Sequence, residues 1–286
     1  MKAVDAIMKL NKIFKSKNWV EKDHDEFVFD QFCKLFNNLD NDEERKLIIE
    51  LTENYTWISF TEYQGKILNS LKLVEDEKLE YLKKIYFFPI IKPEDEGKIK
   101  SGPYLLYPLK SYKKFLPRYT HIKFEIITSF DAMKKENLEI KENEQIFLMD
   151  DYIGSGETLT TCIEHLKSNN DFTNENFSIV SIATQKEIYD RTMHEGISYY
   201  CDTIKNKGIT DNYIDPELSS NISLMKDLEN MIPGGSHFSF GYNDSEGLIT
   251  LIRTPDNTFP IFWKEYRKGR DKFKAPFSRD ESVHNA

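Results

Sequence analysis

The sequence predicts an α/β fold, a parallel sheet flanked by helices with a helical N-terminal extension. Apolar residues recur at helical spacing through the first 80 or so positions, and short β-rich apolar runs begin at residue 85. The later runs alternate with helical or turn segments, as strands joined by crossover helices do.

Val28, Phe32, Leu35, Phe36 and Leu39 share one helical face, as do Leu47, Ile48, Leu51 and Tyr55, and again Ile67, Leu68, Leu71 and Val74. Asp40, Asn41 and Asp42 form a turn and N-cap cluster between the first two stretches, and Asp76 starts a further short helix through Lys84. Short helices with a single apolar face gain most of their stability from packing, so these are expected to cover the α/β part. Strands are expected at 85–91, 104–107, 122–128, 145–149, 177–183 and 199–204. The segments 92–102 and 134–144 read as polar loops. Ile222, Met225, Leu228 and Ile232 mark one more helix, ended by Pro233-Gly234-Gly235, and the remainder reads as loop-rich. The expected organisation is a helical region at 1–84 packed on the core, an α/β domain at 85–263 and a basic C-terminal tail at 264–286.

With 286 residues, 39% hydrophobic and 13% aromatic, the chain can bury a core and is not a disordered polymer. Its longest apolar run, IYFFPII at 85–91, falls far short of the roughly 20 residues that span a bilayer. The segment MKAVDAIMKLNKIFKSK carries Asp5 and scattered lysines rather than a secretory pattern, so a cytoplasmic location is expected. Cys33, Cys162 and Cys201 suit reduced thiols. A net charge of −9 argues against a surface designed throughout to coat nucleic acid. Locally, 264–279 carries seven Lys/Arg against Glu265 and Asp271, with Tyr266, Phe273 and Phe277 interleaved. That composition suits phosphate backbones and unpaired bases; the other reading is a tail that packs its aromatics back onto the protein.

The most informative segment is QIFLMDDYIGSGETLTTCIEHL, residues 145–166. An apolar strand without alternation ends in Asp150 and Asp151, where ligands of parallel sheets collect. Gly154, Ser155, Gly156 and Thr158 follow, and Leu159, Cys162, Ile163 and Leu166 then mark a helix face. Backbone N–H groups of a Gly-rich turn and the positive end of a helix can surround a phosphate, with the Ser155 and Thr158 hydroxyls as further donors. The two acids cannot favour that phosphate, so they are expected to face hydroxyls or a divalent cation one sugar away. A ribose 5-phosphate fits this division. No lysine follows the glycines as in a Walker loop, and the acids precede the turn, unlike the dinucleotide fingerprint.

The run LMDDYIGSGETL resembles the phosphoribosyl-diphosphate signature of type I phosphoribosyltransferases. The resemblance implies Asp150 and Asp151 as the catalytic pair that holds the ribose hydroxyls. It implies Gly154, Ser155, Gly156, Glu157 and Thr158 around the 5-phosphate, with the Glu157 anion pointing away. PIIKPEDEGKIKSGPYLLYPLK and GYNDSEGLITLIRTPDNTFPIFW extend the similarity to the diverged phosphoribosyltransferase-like proteins (PRTase-CE) of bacterial conflict and antiphage systems, some associated with retrons, over roughly residues 20–280. On that basis Lys98, Lys100, Ser101 and Gly102 are candidates for the diphosphate loop. Tyr199, Tyr200 and Asp202 are candidates for the base site, with an ordinary sheet or core role for the tyrosines as the other reading. The ligand implied is phosphoribosyl diphosphate or another nucleotide, with Mg2+ held by ligand oxygens rather than by a dedicated protein cage. A nucleic acid, a reverse transcriptase and a second copy of the chain are candidate partners. The implied function is a pentosyltransferase-type effector; the alternative is a non-catalytic nucleotide sensor or an interaction subunit.

Overall fold

The computed structural model describes residues 1–23, 27–98, 100–135, 139–169 and 172–279. The chain forms two compact units, one being Thr61–Lys205 and the other combining Met1–Phe60 with the C-terminal part of the chain from Asn206. These units divide the chain at other places than the segments 1–84, 85–263 and 264–286 expected from the sequence.

The Thr61–Lys205 unit is built on five parallel strands: β1 (Lys84–Pro89), β2 (Lys123–Ile126), β3 (Glu144–Ile153), β4 (Phe177–Gln185) and β5 (Ser198–Lys205). Their order in the sheet is β2-β1-β3-β4-β5. Both faces are covered. Phe88, Ile146, Leu148 and Ile179 pack with Met133, Leu159, Cys162 and Ile188 from the helices Phe130–Lys135, Glu157–Asn169 and Lys186–His194. On the opposite face Phe147 meets Phe87 at 5.7 Å and Tyr200 at 6.3 Å between ring centroids, and the helix Tyr63–Lys72 lies over β4 and β5. A sheet buried on both sides needs apolar residues at successive positions, which is why these strands read as runs rather than alternations.

Five of the six expected strands correspond to β1 through β5. The sixth, 104–107, is corrected: the helix Ser101–Leu106 occupies this place. An apolar run of four does not separate strand from helix. Here Leu105 and Leu106 are buried while Tyr104 and Tyr107 are exposed, a three-residue step rather than an alternation. Pro103 sits in the first helical turn, where its missing N–H costs nothing. Ile99 in the 92–102 loop, residues 136–138 in the 134–144 loop and the tail residues 280–286 lie outside the described residues.

In the other unit, the helices Ala3–Ser16, Val28–Asn38, Asp42–Asn54 and Glu217–Glu229 gather Phe14, Phe32, Leu47, Leu51, Met225 and Leu228 into one core with Phe259, Phe262 and Phe277. Asn41 caps the third of these helices, accepting from the Glu44 N–H while the Glu44 carboxylate accepts from the Asn41 N–H. The amphipathic faces at 28–39 and 47–55 therefore find partners near the other end of the chain, whereas the one at 67–74 serves the sheet. Tyr55 stacks on Phe277 with centroids 4.6 Å apart, and its hydroxyl lies 2.6 Å from Thr250 Oγ1. The segment 264–279 thus packs its rings inward: Tyr266 and Phe277 are buried. Tyr266–Lys268 and Asp271–Phe273 form a short antiparallel pair. Among the described residues no helix is long and apolar enough to cross a membrane, and all three cysteines are free.

Phe277→Ala is expected to destabilise this unit by about 3–5 kcal/mol, the usual cost of removing a buried aromatic ring. Denaturant unfolding measures it, and a loss below about 1 kcal/mol would show that the ring is not central to the core.

Candidate functional site

β1 stops at Pro89, opposite Met149, but β3 continues to Ile153. The Ile90 N–H donates to the Met149 carbonyl at 2.9 Å as the chain leaves the sheet. On the far side β4 keeps its register with the overrunning end, pairing Asp150 with Ser181 and Tyr152 with Ala183. The strand order also reverses here, since the connection from β1 leads outward to β2 and the next strand returns to the opposite side of β1. A parallel sheet opens a crevice at such a point, and Asp150 and Asp151 are the first residues beyond it.

The pair is half-buried and accepts hydroxyl groups. Asp150 Oδ1 accepts from Ser101 Oγ at 2.6 Å and from the Asp151 N–H at 2.9 Å. Asp151 Oδ2 accepts from the Tyr63 hydroxyl at 2.8 Å. Burial pushes the Asp150 carboxyl well above the ordinary carboxylate range and the Asp151 charge adds to the rise, with Ser101 opposing it. Asp151 is also raised by burial, against hydrogen bonds from Tyr63 and Ser101. Two adjacent carboxylates in a low-dielectric place favour sharing protons or gaining hydrogen-bond donors.

Gly154 to Gly156 bend the chain into the helix Glu157–Asn169, whose first turn closes with the Thr160 N–H on the Gly156 carbonyl at 2.9 Å. The N–H groups of Glu157, Thr158 and Leu159 precede that bond and have no intrahelical acceptor. Gly156 has φ +76°, a backbone conformation that favours glycine, and a Cβ there would also crowd Ile188 at 3.1 Å and the mobile end of Arg191 at 2.5 Å. Glu157, the anion at the loop, is held by an ion pair with Lys92 from the segment after β1.

Of the diphosphate-loop candidates, Ser101 and Gly102 lie at the acids. Gly102 packs so closely that a Cβ would be 3.1 Å from both the Met149 carbonyl oxygen and Pro89 Cβ. Lys98 and Lys100 pair instead with Asp95, at 2.8 and 3.1 Å. Burial works to raise the Asp95 carboxyl, but hydrogen bonds from these two lysines hold it below its ordinary value. Of the base-site candidates, Tyr199 is buried with its hydroxyl 3.2 Å from Ser181 Oγ. Tyr200 is also buried and donates to Glu75 at 2.6 Å. Asp202 accepts from Lys66 Nζ at 2.6 Å and from Asn69 Nδ2 at 2.8 Å.

Sequence reasoning missed Tyr63, Lys66, Asn69 and Lys92. The first three stand three residues apart on the helix Tyr63–Lys72 and bring Tyr63 to Asp151 and the other two to Asp202. The signal available was a polar stripe beside the apolar face Ile67, Leu68 and Leu71. For Lys92 it was the first cation after the apolar run of β1. Burial pushes the Cys162 thiol up to about 12, which removes it as a nucleophile. Among the described residues no group of three His, Cys, Asp or Glu side chains converges as a metal-ligand set.

The PRTase-CE family model matches residues 16–279. No curated protein matches the chain. Among solved structures the chain is similar to a hypoxanthine-guanine phosphoribosyltransferase from Schistosoma mansoni in complex with IMP, at 13% identity and TM-score 0.31, over 52% of this chain and 64% of that one. It is similar to the HGPRT-ase of Leishmania tarentolae in complex with GMP, at 13% identity and TM-score 0.34, over 53% and 82%. A hypothetical protein from Neisseria gonorrhoeae with bound ppGpp gives 12% identity and TM-score 0.30, over 60% and 97%.

Because both carboxyls are raised in the folded protein, the fold binds their protons more tightly than the unfolded chain does. Their contribution is therefore most favourable below the ordinary carboxylate range and is lost as pH rises through the folded values. Asp150→Asn removes one of the two charges. The variant is expected to melt at a higher temperature than the unaltered protein at neutral pH, with the gain shrinking as the pH falls through the folded carboxyl values and vanishing below the ordinary carboxylate range. Melting curves across this range check it, and a lower neutral Tm would mean that the hydrogen bond from Ser101 outweighs the repulsion.

Proposed function

The chain belongs to the PRTase-CE family, and from that membership and its carboxylate pair we propose that the Thr61–Lys205 unit binds the ribose 5-phosphate part of phosphoribosyl diphosphate or a related nucleotide. One observation carries this reading: two adjacent carboxylates in a switch-point crevice already accept hydroxyl hydrogen bonds, and a helix N-terminus begins six residues after the second of them. Hydroxyls of a ribose are of the same donor type as Tyr63 and Ser101. The phosphate is assigned to the Gly154–Thr158 backbone, with Lys92 keeping the Glu157 charge from opposing it.

In the reaction we propose, the bond from ribose C1 to diphosphate breaks with its electron pair leaving on diphosphate. A nitrogen of the acceptor forms the new bond to C1 and passes its proton to the departing diphosphate or to solvent. Asp150 and Asp151 hold the sugar while positive charge develops at C1, so the protein contributes position and electrostatics rather than a nucleophile. Magnesium fits the donors present, since it takes hard oxygens from one or two carboxylates together with phosphates. When bound it neutralises charge on the leaving diphosphate. The setting we propose is an effector of a bacterial antiphage, retron-type defence system. A sensor that binds the same ligand without turnover is the second reading, favoured by Tyr63 and Ser101, which satisfy the acids without ligand.

Magnesium with phosphoribosyl diphosphate at 100 times Kd is expected to add about 2.7 kcal/mol of stability, and the Asp150→Asn/Asp151→Asn protein is expected to fold without this shift. Absence of a shift with every phosphoribosyl ligand tried would overturn the reading. Diphosphate release on adding a base or an RNA pool identifies the enzyme; a ligand shift without release identifies the sensor.

A further inference from the structure

With Tyr266 and Phe277 buried, the aromatics interleaved through 264–279 largely serve the core. A second stretch of similar composition, in the other unit, does not. From residue 97 to residue 124 the chain has seven Lys/Arg and no Asp or Glu, within a protein of net charge −9. It runs through the helices Ser101–Leu106 and Leu109–Tyr112 and the turn Lys113–Phe115. Leu105, Leu106, Leu109 and Leu116 face inward and are buried. Outward stand three rings, Tyr104 at 49%, Tyr107 at 92% and Phe115 at 46% exposure.

Tyr104, Tyr107, Lys110 and Lys114 follow steps of three, three and four residues, and Tyr107 and Pro108, which join the two short helices, keep right-handed helical backbone angles, so this spacing groups rings and cations on the outward side of the segment. The flanking cations are engaged: Lys98 and Lys100 with Asp95, Arg118 with Asp76, and Lys113 with the Ile122 carbonyl. Lys110 and Lys114 are exposed, the latter 4.9 Å from the Phe115 ring centroid. Lysines alone would suit any polyanion. The three exposed rings narrow the choice, because unpaired bases offer faces on which rings stack while their backbone supplies phosphates to the lysines. Paired bases inside a duplex offer no such faces.

We propose that the face of Tyr104, Tyr107, Lys110, Lys114 and Phe115 binds single-stranded nucleic acid. The inference does not depend on the phosphoribosyl reading, since none of these side chains belongs to that site. Its test is fluorescence anisotropy of the full chain with labelled 20-nucleotide oligo(dT) and oligo(rU) over a salt series from about 50 mM. Tyr107→Ala is expected to weaken binding by about fivefold or more. Lys110→Gln/Lys114→Gln is expected to reduce the slope of log K against log salt by about 1.4, two phosphate contacts on a single strand. Lys272→Gln/Lys274→Gln in the other basic stretch is expected to change neither, with melting temperatures confirming that each variant is folded. The proposal is overturned if the unaltered chain binds neither oligonucleotide, if duplex competes as well as single strand, or if Tyr107→Ala binds normally. It is equally overturned if sedimentation shows that Tyr107→Ala separates a dimer while oligonucleotide binding is unchanged, which would make this face a contact between copies.

Discussion

Past Met149, β3 has β4 on one side and the end of a shorter strand on the other, and the site depends on that mismatch in length. Within the sheet both faces are covered, so a carboxylate there would be stranded in an apolar layer. Only at the overrunning end can two acids stand side by side with part of their surface open. The same mismatch brings backbone close to backbone, so that a side chain at Gly102 would fit only if its neighbours gave way by a few tenths of an ångström. The acids meet there at an energetic cost, because burial and mutual repulsion both oppose their ionisation, and Ser101 and Tyr63 offset part of it.

The charge layout follows from this constraint. A crevice floored by two acids would repel a phosphorylated ligand, yet a helix N-terminus begins a few residues later and Lys92 cancels the anion in its first turn. Attraction and repulsion are separated along a short length of chain, so a ligand with hydroxyls at one end and phosphate at the other can be oriented by charge alone.

The strands and the 150–158 segment were legible in the sequence because both are local: a run of apolar residues followed by acids and glycines has the same meaning wherever it packs. The segment 104–107 was not, because YLLY fits two periodicities and only the burial of Leu105 and Leu106 chooses between them. Tyr63 and Lys92 were invisible for another reason. Their partners lie 88 and 65 residues away, and spacing within one helix or loop carries no information about the other end of such a contact. Tyr199 and Tyr200 illustrate the period of two in a strand: as neighbours they point to opposite faces, so one surface cannot use both. The ring pattern at 264–279 was visible, but its meaning depended on whether a core was waiting for Tyr266 and Phe277.

The unit formed by Met1–Phe60 and the C-terminal part of the chain has a consequence for the newborn polypeptide. During synthesis its first helices emerge with Phe14, Phe32 and Leu47 bare, while Phe259, Phe262 and Phe277 do not yet exist. At about 5–20 residues per second the ribosome needs roughly 7–30 s to make the intervening segment. The sheet unit, contiguous in sequence, can fold during that wait; the helices cannot complete their core. For that interval the chain presents an unfinished apolar surface, and chaperones acting on nascent chains have their clearest opportunity there.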